Sequence, residues 1–263
     1  MVNMDLEDQP LMKTNTKNGY STIFKNKNSG GIFSSIGEWF FPQSYPYKLE
    51  YWWRCTHCSA YVFGGSTFLI GSMCYLPLIS NFVLGGWLFT WGSLAFLFAD
   101  LFEWYTNNRV GCFNFGINED MIQEYEKLNK VKLDDTDGKN FFLSASGSFL
   151  YLVGSIMFIP ALDMMTLGTK IFIYGSAVIA TSQAWKLWRY PDYTSDLPAV
   201  HVDSGAGIGG VFYLIGSWFF LPCYVGTYAG SLAPILFICG GACFFWSGLG
   251  IIYRYFIASP AMY

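Results

Sequence analysis

The chain is short of charge. Of its 263 residues only 13% are Asp, Glu, Lys or Arg, whereas 53% are hydrophobic and 20% aromatic. A soluble domain carries about 25% charged residues. From Gly205 to Tyr253, forty-nine consecutive residues, there is no Asp, Glu, Lys, Arg or His. Such a stretch cannot face water, and it suffices for two membrane spans of about 20 residues each. The shortage excludes a water-soluble globule and points to a multi-pass protein whose first partner is the lipid bilayer. With a net charge of −3 the chain also lacks a basic footprint, so nucleic acid is not expected as a partner.

Other scarcities exclude chemistry. There are only two histidines, His57 and His201. Paired imidazoles can ligate haem, but these two fall just before spans rather than within them. Hydrogen bonding at the interface is expected of both, and no cofactor. Cysteine is odd in number, seven, and four (Cys74, Cys223, Cys239, Cys243) fall in expected spans, which excludes a disulfide framework. Cys55 and Cys58 have the spacing of a zinc or redox pair. A structural zinc needs four ligands, however, and no second such pair exists. Nor does a His follow Cys58, as c-type haem attachment requires. No metal is expected. Reversible acylation of Cys55, Cys58 and Cys112, close to the inner membrane surface, is the functional alternative to free thiols.

Ionisable residues are missing from the span centres, where a proton relay would need them. Asp100, Glu103, Lys186, Arg189 and Arg254 are expected at helix ends, where long basic side chains snorkel, and Asp163 and Lys170 at a turn. There is no Ser/His/Asp set, phosphate loop or nucleotide fingerprint. No catalytic residue is assigned, and the chain is not expected to be an enzyme.

What the chain has instead is repetition. "GGSTFLIGSMCYLP" (Gly64–Pro77), "GSFLYLVGSIMFIP" (Gly147–Pro160) and "GGVFYLIGSWFFLP" (Gly209–Pro222) share an aromatic at the fifth place, Gly-Ser at the eighth and ninth, and a final Pro. Apolar runs of spanning length place six helices near Ala60–Ser80, Phe82–Ala99, Phe141–Leu162, Ile171–Trp188, Ala206–Tyr228 and Ser231–Tyr253. The even helices echo one another as "FTWGS" (Phe89–Ser93), "FIYGS" (Phe172–Ser176) and "FICGG" (Phe237–Gly241). The repeating unit is therefore a helical hairpin. The expected fold is an all-α integral membrane protein with six transmembrane helices as three parallel-repeat hairpins.

The organisation that follows is a polar tail (1–36), an interfacial aromatic segment (37–58), and hairpins at 59–105, 141–190 and 205–256. Connections at 106–140 and 191–204 and a short tail (257–263) complete it. "NEDMIQEYEKLNK" (Asn118–Lys130), in the first connection, opens with a capping Asn and an acidic first turn. It suits a helix resting on the membrane or on a partner.

Lipid tails are as apolar as leucine, so helices in a bilayer associate by close packing, and small residues let backbones approach. The packing residues expected on this ground are Gly64, Gly71, Ser72 and Gly92 in the first unit. Gly147, Gly154, Ser155 and Gly175 follow in the second, and Gly209, Gly216, Ser217 and Gly240 in the third. The serine hydroxyls are expected to bond back to their own helices. Pro77, Pro160 and Pro222 are expected to end or kink the odd helices near the hairpin turn.

Three hairpins with one orientation could surround a pseudo-threefold axis, as parallel repeats do in some transporters. The mitochondrial carrier family also has three two-helix repeats with a Pro near the end of each odd helix. There an acidic residue follows two places on, and a basic one three further. Here the segments read "PLISNF", "PALDMM" and "PCYVGT"; the charged pairs are missing, and that family is excluded. The hairpins resemble instead the YrhK-like domain, a short two-helix membrane module with Phe/Leu-rich runs around Gly-Ser. "FLIGSMCYLP" with "WLFTWGSLAFLF" is the best copy, followed by "YLVGSIMFIP" with "IFIYGS" and "YLIGSWFFLP" with "LFICGG". The resemblance implies architecture and carries no activity.

Of 15 Lys and Arg, 14 lie on the side of the termini and the long connections, with Lys170 alone opposite. The positive-inside rule then puts both termini in the cytosol, or in the matrix or stroma of an organelle. The polar tail lacks an apolar segment of the secretory type, and its acidic Asp5, Glu7 and Asp8 do not suit a mitochondrial presequence. "EDQPLM" is similar to an acidic dileucine sorting signal (Glu7, Leu11, Met12), and "YSTI" to a tyrosine signal (Tyr20, Ile23). Together they favour an endomembrane, vacuolar or plasma-membrane location over an organelle inner membrane.

The expected function is a scaffold or accessory subunit that acts through assembly, with other membrane subunits or as a homo-oligomer. The alternative is a passive channel or facilitator with its path along the pseudo-threefold axis or at a subunit interface.

Overall fold

A computed structural model describes residues 51–107, 136–189 and 197–258. They form six long helices: α1 (Tyr51–Met73), α2 (Phe82–Asn107), α3 (Thr136–Met157), α4 (Met165–Arg189), α5 (Leu197–Phe219) and α6 (Tyr228–Tyr253), with no strand among the described residues. α2, α3 and α6 are long and apolar enough to cross a membrane, over Phe82–Trp104, Lys139–Met157 and Tyr228–Ala258. The other three carry Arg54 and His57, Lys186 and Arg189, or His201 and Asp203 towards one end. Tyr20, Ile23, Glu7, Leu11, Met12 and Cys112, the stretch 118–130 and most of the aromatic segment lie outside the described residues.

Each helix packs chiefly on its two neighbours in the chain, and α6 closes the set against α1. The result is a ring of six helices, joined at one end by short tips (74–81, 158–164, 220–227). The odd helices stop sooner than expected. They end at Met73, Met157 and Phe219, before their prolines rather than at or beyond them. A residue preceding Pro is pushed out of the helical region, and Ile159 and Leu221 are accordingly extended at ψ 117° and 148°. Pro160 and Pro222 then open single 3₁₀ turns. Two returning helices, α2 and α6, are capped by the tip: the Asn81 Oδ1 accepts from Leu84 N at 3.1 Å, and the Thr227 Oγ1 from Gly230 N at 3.1 Å. α4 begins at Met165, so Lys170 lies within a helix and not in the turn expected for it.

The toward-terminus ends run longer than the apolar runs foretell. α1 begins at Tyr51 and α2 continues to Asn107, because aromatic and small polar residues go on pairing with a neighbour after the apolar run ends. Asp100 is therefore not at a helix end. It stands seven residues inside α2 and is only 4% exposed.

The seams explain the glycines. A Cβ built on Gly71 would stand 3.0 Å from the Phe89 ring, and one on Gly92 2.6 Å from the Phe68 ring. The same reciprocal fit recurs between Gly154 and Phe172 (2.6 Å) and between Gly175 and Tyr151 (2.9 Å). It recurs again between Gly216 and Phe237 (2.8 Å) and between Gly240 and Tyr213 (2.6 Å). One rung further towards the termini, Gly64, Gly147 and Gly209 admit Phe96, Ile179 and Phe244 at 2.6–2.8 Å.

The glycine doublets extend this rule. In Gly64-Gly65, Gly85-Gly86, Gly209-Gly210 and Gly240-Gly241 the first glycine faces its own hairpin partner and the second faces the next hairpin. Gly65 lies under the backbone of Phe245, Gly86 beside Phe158, Gly210 beside Ala180, and Gly241 against Leu69. These second glycines are packing residues that the repeat alone does not single out.

Gly65→Ala and Gly241→Ala should therefore hurt more than Gly207→Ala. Their new methyl would lie 2.5 Å from Phe245 Cα and 2.7 Å from Leu69 Cα, backbone atoms that cannot swing aside, against 3.2 Å from a side-chain atom at Gly207. A loss of about 1–3 kcal/mol is expected for each of the first two. Thermal unfolding of the purified protein in detergent reads the difference, and equal midpoints for all three variants would refute the seam.

Candidate functional site

The space inside the ring is where a transport path would run, and aromatic side chains occupy it. Nearest the tips, Tyr75, Phe158 and Phe220 form a triangle with centroid separations of 5.7–5.9 Å. Below it come Phe89, Phe172 and Phe237, with Phe89 5.9 and 6.3 Å from the other two. Phe68, Tyr151 and Tyr213 make the next triangle, at 5.3–6.0 Å. Phe96 and Phe244 meet at 5.4 Å beside Ile179. Within each hairpin the rings of adjoining layers also touch: Phe68–Phe89 at 5.2 Å, Tyr151–Phe172 at 4.6 Å and Tyr213–Phe237 at 5.4 Å. Offset and edge-on aromatic pairs at these separations contribute about 0.5–1.5 kcal/mol each beyond burial.

The repeated serines tie the hairpins to one another around this column. Ser72 Oγ bonds back to Phe68 O at 2.6 Å, as expected, but also meets the Tyr213 hydroxyl at 2.9 Å. Ser93 and Ser155 share a bond of 2.8 Å between α2 and α3, and Ser148 donates to Asp100 at 2.5 Å. Ser176 bonds Tyr151 at 2.9 Å inside its own hairpin, and the Ser217 hydroxyl is buried with no partner among the described residues. Beyond the back-bond seen at Ser72, the hydroxyls of Ser72 and Ser155, and those of Ser93 and Ser148 with them, reach a neighbouring hairpin. Their position directly after a seam glycine turns them towards the neighbouring hairpin.

At the terminal end the column gives way to polar groups. Asp100 accepts from the Tyr61 hydroxyl at 2.7 Å and from Ser148, beside a small cavity also lined by Ser144, Gln183 and Ser247. Further out, Lys186 pairs with Asp203 at 3.7 Å. Asn140 Nδ2 donates to Ser182 O at 3.0 Å, and Ser182 Oγ donates to Asn140 Oδ1 at 2.6 Å.

The histidines part company. His57 is buried, 4.8 Å from the Trp53 ring, and its Nδ1 shares a bond of 3.1 Å with the Tyr255 hydroxyl. His201 is exposed, with Nδ1 2.7 Å from Leu197 O. His57 thus hydrogen-bonds from within the ring and His201 from its surface. The residue matching His57 in the third hairpin is Val202, which is likewise buried. His201, one residue earlier, is turned about 100° away. Cys58 is buried with its thiol directed at Cys55 O (3.4 Å), and Cys55 is half-buried; both are free.

Phe172 is fully buried at the middle of the column. Phe172→Ala should cost about 3–5 kcal/mol, and a Phe172→Leu variant, which keeps most of the volume, should cost less. Detergent thermal stability compared across the three proteins checks this; an unchanged midpoint for the alanine variant would mean the column does not hold the ring together.

Comparison with protein-family models, with curated proteins and with solved structures finds no match for this chain.

Proposed function

We propose that the chain crosses the bilayer six times, as three parallel copies of one hairpin, and works through assembly rather than catalysis. It would be a scaffold or accessory subunit of a membrane complex, or a homo-oligomer. The observation that carries this reading is the distribution of rings. They fill the axis from the hairpin tips to the level of Phe96 and Phe244, where a conduit would need space, and large apolar side chains also crowd the outside. Phe63, Trp91, Phe149, Tyr174, Trp218 and Trp246, one from each helix, are at least half exposed. Such a surface is suited to lipid or to another membrane-embedded chain, while the filled axis speaks against a channel.

Six crossings are supported by length and connection. α2, α3 and α6 each belong to a different hairpin, and the short tips require the partner helix to return alongside. α1, α4 and α5 have 23, 25 and 23 residues. At 1.5 Å rise per residue that is about 34–38 Å, more than the ~30 Å hydrocarbon core. The likeness to the YrhK-like two-helix module rests on the same Gly-Ser pairs and supports the same architecture.

Native mass spectrometry of the affinity-purified protein in mild detergent, paired with a liposome flux assay, tests the assembly reading. A stoichiometric partner or a defined multimer without flux is expected; a monomer that conducts small solutes would overturn it.

The charge bias supports a cytosolic side for the termini and long connections. A tag at Met1 should then be protected from protease inside sealed right-side-out vesicles. Replacing Leu11, Met12 and Tyr20 together by Ala should shift the protein towards the cell surface. A tag digested in those vesicles would reverse the topology, and an unmoved triple variant would favour an organelle membrane.

A further inference from the structure

The four ring layers look alike in all three hairpins, but the next level towards the termini does not. Tyr61 corresponds to Ser144 and Ala206, and Asp100 to Gln183 and Gly248, counting from the matched glycines. Packing symmetry accounts for the rings and leaves this level unexplained. It holds a partly open cavity of about 30 Å³ lined by Tyr61, Asp100, Ser144, Ser148, Gln183 and Ser247, with Phe96, Tyr151 and Phe244 among its apolar walls.

The polar chemistry of that cavity is one-sided. The protons of Tyr61 and Ser148 are committed to Asp100, and that of Ser247 to Cys243 O. Their lone pairs remain. Gln183 is 4% exposed, and its Oε1 is buried with no partner among the described residues. Acceptors thus outnumber donors there, with the Ser144 hydroxyl and the Gln183 Nε2 as the donors that remain. A buried carboxylate is ordinarily paired or coordinates a metal. Asp203 follows that rule through Lys186 at 3.7 Å; Asp100 feels the same ammonium only at longer range, and its two hydrogen bonds come from neutral hydroxyls.

We propose that Asp100 and Gln183 hold a small monovalent cation, of sodium size, in this cavity on the axis of the ring. A single carboxylate suits one positive charge, whereas calcium takes 6–8 oxygen ligands. The volume is enough for about two water-sized occupants. The site is independent of which membrane holds the protein and of whether it has partners.

The test is thermal unfolding of the purified full-length protein in detergent. Midpoints are followed as sodium chloride replaces N-methylglucamine chloride at constant ionic strength. The native protein should gain stability saturably with sodium. Asp100→Asn should lose that dependence, and Gln183→Leu should raise the half-saturating concentration by about ten- to a hundredfold, the usual weight of one bond to a charged group. Asp203→Asn should keep the dependence. Should Asp100→Asn fail to fold, sodium-23 line broadening by the native protein, relieved in Gln183→Leu, reads the same site. Identical midpoints in the two salts, or undiminished sodium dependence in both cavity variants, would overturn the proposal and leave ordered water as what Gln183 bonds.

Discussion

The structure depends on the fit of a ring into the place of a missing side chain. In a bilayer, burying an apolar group against another helix gains little over leaving it in lipid, so contact quality decides whether helices associate. A glycine facing Phe89, Phe172 or Phe237 lets the ring lie almost on the opposing backbone, and a second glycine returns the favour for Phe68, Tyr151 or Tyr213. Each hairpin is thereby clasped from both sides at mid-height. The rings pushed inward by these clasps are those that fill the axis, so the seam and the core are two views of one interaction.

Hydroxyl groups add direction to a core that packing alone would leave free to slide. The Ser72–Tyr213 and Ser93–Ser155 bonds join different hairpins at 2.9 and 2.8 Å. Hydrogen bonds between helices in membranes average about 0.6 kcal/mol, small beside the ring contacts. Each has a single correct register, however, and so fixes how far one hairpin is inserted relative to the next.

The six helices were legible in the sequence because apolar runs of helical length alternate there with short turn segments. The helix ends were less so. An apolar run measures what can be buried in lipid, while α1 and α2 continue for several residues on contacts such as Trp53 with His57 and Phe102. The second glycine of each doublet was hidden by its neighbour, since a motif shows that two small residues occur and not which seam each serves. Asp100 was misread for the same reason as the helix end that contains it. Its burial comes from Tyr61 and Ser148, which stand 39 and 48 positions away in the chain. The orphaned oxygen of Gln183 is a property of three-dimensional neighbours, and no pattern along the chain announces it.

The glycine doublets carry a consequence for how such a ring closes. Successive residues on a helix point about 100° apart, close to the corner angle of a six-sided ring, so one dipeptide addresses both neighbours. A hairpin carrying such dipeptides has complementary left and right flanks, the head-to-tail type of interface that closes into a cycle when its rotation allows. Three unlinked hairpins would then assemble as a homotrimer, and any residue on the axis would occur in triplicate. Linking them in one chain lifts that restriction. A lone carboxylate beside the axis, with an amide and a glycine at the matching positions, is an arrangement that a symmetric trimer cannot make.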